Sequence, residues 1–246
     1  MTDDTVCWEL FDADDPLLDA ARALYESTLE EAERVPWEWL ARTPERRKAW
    51  RPGLRCPHLV LAALRAEPGR PVGFAYGTYL PGYGGYVCYL GVEPMARGQA
   101  IGARLFEYLF QLIACDAAAD GQPMPFMIWE SHPPADAALW RVRLRLFEKV
   151  GGLRIAGVDF FSPNYMQPDA PPVPLQLFLR PWAAPVAGFD AAVLRGVVGG
   201  LYHHIYRIDA DDPLRTATLA AVAAPRLVPA VETPGKDGAR ECGDGR

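Results

Sequence analysis

The stretch from residue 86 to residue 118 constrains the fold of this chain more than any other. Tyr86, Val87, Cys88, Tyr89, Leu90 and Val92 are bulky and mostly apolar. Such a run predicts a strand covered on both faces, hence central in a sheet. A turn through Glu93, Pro94, Met95, Ala96, Arg97 and Gly98 follows, and then a helix is predicted over 100–118. Arg104, Glu107 and Gln111 make one narrow polar stripe on it, while Ile101, Leu105, Phe106, Tyr108, Leu109, Phe110, Leu112 and Ile113 are apolar. A helix of this kind is buried on most of its circumference. Strand and helix must therefore lie together at the middle of a layered domain.

The turn joining them has a chemistry of its own. Gly98, Ala100 and Gly102 are small, so ligands can approach the backbone N–H groups there. They fall at the start of a helix, where N–H groups have no intrahelical partner and the helix dipole is positive. That arrangement suits a phosphate or diphosphate. Arg97 stands ready to add charge-assisted hydrogen bonds.

Other elements follow from periodicity and breakers. Leu17, Leu18, Ala21, Leu24, Tyr25 and Leu29 recur at helical steps behind Asp14, Asp15 and Pro16. A second helix is predicted over 37–50, strands over 59–64, 72–80 and 125–130, and a helix over 136–150 ended by Gly151 and Gly152. Two closing strands are predicted over 153–161 and 174–179. Helices over 189–208 and 212–224 come next. Gly196, Gly199 and Gly200 each weaken the first of these by about 1 kcal/mol relative to alanine. From Pro229 onward glycine, proline and charge cannot supply a core, so a disordered tail is expected.

Net charge narrows the partners. With 25 Lys and Arg against 31 Asp and Glu the chain carries −6, which disfavours nucleic acid and anionic membrane surfaces. Five scattered cysteines without a CxxC pair argue against a disulfide framework and a structural zinc site. The acidic N-terminus does not read as a signal peptide, and no run approaches the roughly 20 apolar residues of a membrane span. A cytoplasmic location is expected. A nucleotide-binding module would need a Walker lysine or a GxGxxG with a distal acid, and neither is present.

The string Val92-x-Pro94-x-x-Arg97-Gly98-x-Ala100-Ile101-Gly102, between an apolar strand and an apolar helix, resembles the acetyl-CoA-binding motif of the GNAT superfamily of N-acetyltransferases. Leu146-Phe147-Glu148-Lys149-Val150-Gly151-Gly152 is similar to the end of that family's last conserved helix. The resemblance covers about residues 5–182. It implies an α+β fold with a mixed, mostly antiparallel sheet flanked by helices. Residues 1–182 would be the acyl-CoA-binding domain, 183–228 a helical extension and 229–246 the tail.

The implied reaction moves an acetyl or other short acyl group from acyl-CoA to an amine, by direct attack and with no covalent enzyme intermediate. Acetyl-CoA would be the co-substrate, and no metal is needed. Arg97 matches the arginine of the diphosphate signature, and Ala100 and Gly102 match its two small positions. Alanine in place of the usual glycine at 100 is tolerable if φ is negative. Leu90, Val92, Gly98 and Gln99 complete the cofactor-binding set. A bulge in the family splays the strand ending at Val92 from the next, and the thioester lies in the opening. The Val92 N–H would then polarise its carbonyl. Two positions depart from the pattern: Phe147 stands where a tyrosine often serves as general acid, and Trp140 where an asparagine is common.

Among the remaining side chains, Glu130 ends the strand beside the expected thioester. It is either the general base for the amine or a strand-end carboxylate bonded to a neighbour. Tyr165 is either a substitute acid or an amphipathic lid residue. His132 could relay a proton. Arg141, Arg145 and Lys149 read as a solvated face, and Tyr76, Tyr79, Tyr83, Tyr86 and Tyr89 as core or cleft lining. The acceptor is a small-molecule or protein amine, and helix 189–208 packs on its own domain or on a second copy. A domain that binds acyl-CoA without turning it over, as a sensor or scaffold, is the rival reading.

Overall fold

The computed structural model describes residues 4–182 and 189–231. Its strands are β1 (Thr5–Glu9), β2 (Cys56–Leu64), β3 (Pro71–Leu80), β4 (Gly84–Val92), β5 (Phe126–Ser131), β6 (Leu153–Ala156), β7 (Phe160–Ser162), β8 (Val173–Pro181) and β9 (Arg226–Pro229). The sheet runs β1-β2-β3-β4-β5-β8-β6-β9, with β7 pairing outside this path with β8. Every pairing is antiparallel except β4 with β5. A parallel pair needs a long crossover, and the apolar helix after β4 provides it. The sheet is mixed and mostly antiparallel, as expected.

The helices are α1 (Leu17–Thr28), α2 (Trp37–Ala41), α3 (Thr43–Lys48), α4 (Ile101–Ala119), α5 (Ala137–Lys149), α6 (Ala191–Gly200) and α7 (Pro213–Ala221). Asp136, Asp190 and Asp212 cap α5, α6 and α7 by accepting hydrogen bonds from first-turn N–H groups. The single helix expected over 37–50 is two, because Pro44 sits in the first turn of α3 and cannot continue a preceding helix. The strand expected over 153–161 is also divided, by Gly157 at φ +106°. A π-helical turn, Leu201–Ile205, prolongs α6. Of its glycines Gly200 has a packing reason, since a Cβ there would stand 3.0 Å from the Tyr83 ring.

The sequence reading did not include β1 or β9, the short edge strands. β9 pairs with β6 and Ala230 beyond it is 2% exposed. The C-terminal segment is therefore not purely helical, and the chain contributes to the core past residue 228. The rest of the expected tail, from 232, lies outside the described residues. No helix among the described residues is long and apolar enough to cross a membrane.

Helices cover both faces of the sheet. On one, Ile101, Leu105, Leu109 and Ile113 of α4 pack on Val60, Ala75, Val87 and Met127. On the other, Leu24 and Tyr25 of α1 pack on Leu61 and Phe74. Beside them Leu194 and Val198 of α6 pack on Tyr86, Ile128 and Leu179. So α6 packs on its own chain's sheet.

A buried ionic group ties β1, β2, α3 and α4 together. The His58 ring nitrogens lie 2.7 Å from Glu9 Oε1 and 2.5 Å from Asp116 Oδ2. Arg47 reaches Glu9 and Asp116, each at 3.3 Å, and donates to Cys56 Sγ at 3.2 Å. Burial works against charge on His58, but its bonds to Asp116 and Glu9 outweigh burial and raise its pKa. Cys56, His58 and Asp116 offer donors within 4.8 Å of one another, as a metal site would. The Arg47 guanidinium stands among them, and a second cation there would be opposed by it.

Candidate active site

β4 and β5 are paired over three positions: Gly85 with Met127, Tyr86 with Ile128, and Val87 with Trp129. Beyond these β4 stays with β3, through Leu90–Ala75 and Val92–Gly73, while β5 stays with β8, through Glu130–Leu177 and Ser131–Gln176. The two strands diverge into a V. Its origin is local. Tyr89 opposes Tyr76 and Val87 opposes Gly77, so Cys88 is an extra residue, a bulge. A bulge bends and twists the strand that carries it. It also breaks the alternation of sides: Cys88 and Tyr89 both pack on the α1 face, whereas Val87 and Leu90 pack on the α4 face.

The register sets which backbone groups face the opening. The Glu93 N–H donates to the Val72 carbonyl at 2.8 Å, so that pair is hydrogen-bonded. Its neighbour Val92–Gly73 is then the non-bonded kind, as is Leu90–Ala75. The N–H groups of Val92 and Leu90 therefore point away from β3, into the V.

At the end of β4 the chain makes one 3₁₀ turn, Pro94–Ala96, and enters α4. Among the described residues no hydrogen bond takes the N–H groups of Gly98, Gln99, Ala100, Ile101, Gly102 or Ala103. Arg97, Gly98 and Gln99 are exposed. Gly98 has φ +84°, and a Cβ there would meet nothing within 4 Å. Arg97 donates from Nε to the Val92 carbonyl at 3.1 Å, which braces the turn on the strand. Two expectations need correction. Ala100 has φ +63°, not the negative value that would make alanine comfortable, and the left-handed region costs an L-residue about 1–2 kcal/mol. Gly102 is not bare either: a Cβ there would lie 3.3 Å from Leu146 and 3.5 Å from Leu90, so it also lets α5 approach.

A cavity of about 150 Å³ lies in the V, lined by Leu90, Phe106, Glu130, Phe147, Tyr165 and Tyr206 among others. Glu130 is the lining carboxylate at the end of β5. The Tyr206 hydroxyl donates to its Oε1, while Oε2 is buried with no partner. Burial pushes the carboxyl pKa up to about 8, partly offset by the Tyr86 hydroxyl and reinforced by Glu33. Such a group takes up and releases protons near neutrality.

Tyr165 lines the same cavity, but its hydroxyl donates to the Tyr206 carbonyl. Phe147 also lines it and packs on Trp129, Trp140 and Phe178. The His132 Nδ1 lies 2.8 Å from the Pro174 carbonyl, the geometry of an N–H donor. Arg141, Arg145 and Lys149 are exposed on α5. The structure thus brings Leu90, Glu130 and Tyr165 around one cavity and leaves residues 97–102 at the mouth of the V.

Tyr206 was not among the residues expected at the site. It comes from the C-terminal extension, 76 positions from Glu130, and no local signal in the sequence links the two. The π-helical turn before it and Arg207 after it, at φ +54°, aim it inward. Both are backbone irregularities of the kind that gather at functional sites.

Residues 18–119 match the acetyltransferase (GNAT) family. The match runs from α1 to the end of α4 and so includes β4 and the turn, one arm of the V, while β5 with Glu130 lies beyond it. Among solved structures, a Bacteroides thetaiotaomicron protein assigned to the GNAT family aligns over 83% of this chain and 99% of its own, at 15% identity and TM-score 0.58. A structure of the NatC complex bound to Gag peptide and CoA aligns over 73% and 99%, at 16% identity and TM-score 0.50. At these identities the likeness is one of fold. No curated protein sequence matches the chain.

Proposed function

We propose that this protein transfers an acetyl or other short acyl group from acyl-CoA to an amine, with Glu130 as the proton-transfer group. The family supports acyl transfer in general; the site supports the finer assignment. One observation carries it most: unpaired amides at the start of α4 stand in line with a V whose edge presents the N–H groups of Leu90 and Val92. These features fit acyl-CoA, with residues 98–103 on the diphosphate, β4 pairing with the pantetheine arm, and the V holding the thioester.

When bound, acyl-CoA supplies the activated carbonyl. The chain's residues supply orientation and proton handling. The Leu90 N–H is the donor that polarises the carbonyl oxygen, because Leu90 lines the cavity with Glu130 and Val92 does not. This moves the role one alternation along from Val92, which keeps the pantetheine arm. Glu130, as carboxylate, takes a proton from the ammonium. The neutral amine attacks the carbonyl carbon, a C–N bond forms and the C–S bond breaks. The departing thiolate needs one proton, and the nitrogen must shed another. A carboxyl near 8 is well matched to a thiol of ordinary pKa about 8.5. Protonated Glu130 can therefore return its proton to sulfur, and the carboxylate so restored takes the second proton from the nitrogen and releases it to solvent, which removes the need for a tyrosine at Phe147. Tyr165 is a positioning residue: its bond to the Tyr206 carbonyl holds Tyr206 on Glu130.

The test is release of free CoA from acetyl-CoA in the presence of an amine panel. Acceptor-dependent release that falls about a hundredfold in Glu130→Gln supports the assignment. Tight CoA binding with no acceptor-dependent release across the panel would favour the sensor instead.

A further inference from the structure

Glu130 also lines a second, smaller cavity on the α1–α3 side of the sheet, about 30 Å³ in volume. Its walls include Trp39, Tyr76 and Tyr206 together with three arginines, Arg46, Arg55 and Arg207. The arginines come from α3, from the start of β2 and from the end of the π-helical turn, so the fold rather than a local charge run assembles them.

Their partners are few. Arg46 Nη1 lies 3.4 Å from the Trp39 carbonyl, and Arg55 Nη1 donates to the His204 carbonyl at 2.6 Å. The Arg207 guanidinium lies 4.1 Å from the centre of the Trp39 ring. None of the three is ion-paired with a carboxylate among the described residues. Each guanidinium has five N–H donors in a planar fork, most of them left over. Burial, together with the charges of Arg55 and Arg207, works against charge on Arg46 and lowers its pKa. Arg46 and Arg55 are half-buried and Arg207 is exposed; the three cations repel one another, and an anion bound among them relieves that repulsion. Arg207 also holds a strained positive φ, a conformation found where a site requires it.

Among the described residues the only acid lining this lobe is Glu130, the group proposed to face the amine. We infer that the acceptor is an amine bearing a carboxylate a few bonds away, an α-amino acid or close analogue, whose carboxylate sits among Arg46, Arg55 and Arg207 while its amine meets Glu130. The inference rests on the acyl-transfer reading. The planar fork of arginine suits two carboxylate oxygens, and the size of the lobe suits a small anionic group. The shared wall at Glu130 keeps amine and carboxylate close. A protein N-terminus has an amide at that point and would leave the arginines unmatched.

The experiment measures CoA release by the full chain with amino acids, their methyl esters, the corresponding decarboxylated amines and an amino phosphate of similar length. Equilibrium binding of the same compounds is measured alongside. Free amino acids should exceed their esters and decarboxylated forms by about tenfold or more in kcat/KM. Arg46→Gln and Arg207→Gln should each erase most of that preference by raising KM for the acid, with KM for acetyl-CoA unchanged. Turnover that is equal or better with esters overturns the inference and leaves the transferase reading standing. Carboxylate-dependent binding, lost in both variants and without turnover, supports the subsite and overturns the transferase reading. Preference for the amino phosphate overturns the carboxylate assignment.

Discussion

The hydroxyl of Tyr206, from the C-terminal extension, donates a hydrogen bond to the carboxylate of Glu130 on the central sheet. This bond ties β5 to the π-helical turn that follows α6. A hydrogen bond to a carboxylate favours its charged form. Tyr206→Phe should therefore raise the Glu130 pKa above about 8. The rising limb of kcat/KM should move to higher pH, with activity at pH 7 falling several-fold and little change in fold. A pH–rate profile of the variant checks this; an unmoved limb would uncouple Tyr206 from the base.

Glu130 also makes a prediction about stability. Its carboxyl titrates near 4.5 in the unfolded chain and near 8 in the fold. Between these values the folded state holds the extra proton, so stability falls as pH rises through that window. Glu130→Gln, which keeps an acceptor for Tyr206, should be more stable than the parent at pH 8 to 9 and lose activity there. Thermal melts of both proteins across pH 5 to 9 read the difference. Identical pH dependence would show that Glu130 is not buried as described.

The buried His58 has the opposite logic to an ordinary carboxylate. Its folded pKa is raised above the usual histidine value. The stability it contributes is fully present below about pH 6.5 and is lost as pH rises through its folded pKa. His58→Gln should abolish this part of the pH dependence and lower stability by about 3 kcal/mol or more at pH 6, because Glu9 and Asp116 lose their bridge. Melting temperature against pH is the measurement.

Ala100 occupies a conformation that favours glycine. Ala100→Gly should stabilise the protein by about 1 kcal/mol, since relief of the left-handed φ outweighs the added freedom of the unfolded chain. Affinity for CoA should be kept. Gly98→Val should weaken CoA binding about tenfold, through a side chain placed over the turn amides and a strained φ of +84°. Calorimetric titration of the two variants separates backbone strain from ligand contact.

A chain ended after residue 231 keeps β9 on the β6 edge and Ala230 in the core. Ending the chain before Arg226 should lower the melting temperature by several degrees, because β9 covers the β6 edge and Ala230 is buried. Truncation series with thermal melts distinguish the two cut points.

The sheet, the helices and the turn at Arg97 were legible because each depends on nearby residues. Apolar runs and helical steps mark buried elements, and Gly98 and Gly102 mark a helix start. What could not be read depends on contacts between distant residues. The edge strands β1 and β9 are four or five residues long and gain their conformation from their partners. The break at Gly157 was hidden in an otherwise strand-like run. The sign of φ at Ala100 is invisible in an alanine. Glu130 was found from its place at a strand end. Tyr206, Arg46, Arg55 and Arg207 come to it only when α3, β2 and the π-helical turn fold together. The bulge at Cys88 was expected from the family resemblance, whereas the residues themselves read as an unbroken strand.

The clasp of acyl-CoA by the helix start is tested most directly by nuclear magnetic resonance of the backbone amides during titration with CoA. If the diphosphate binds there, the amide signals of Gly98, Gln99, Ala100, Ile101 and Gly102 shift together with those of Leu90 and Val92, while the β1 and β9 edges stay still. Saturating CoA that leaves residues 98–102 unmoved would contradict the proposed site.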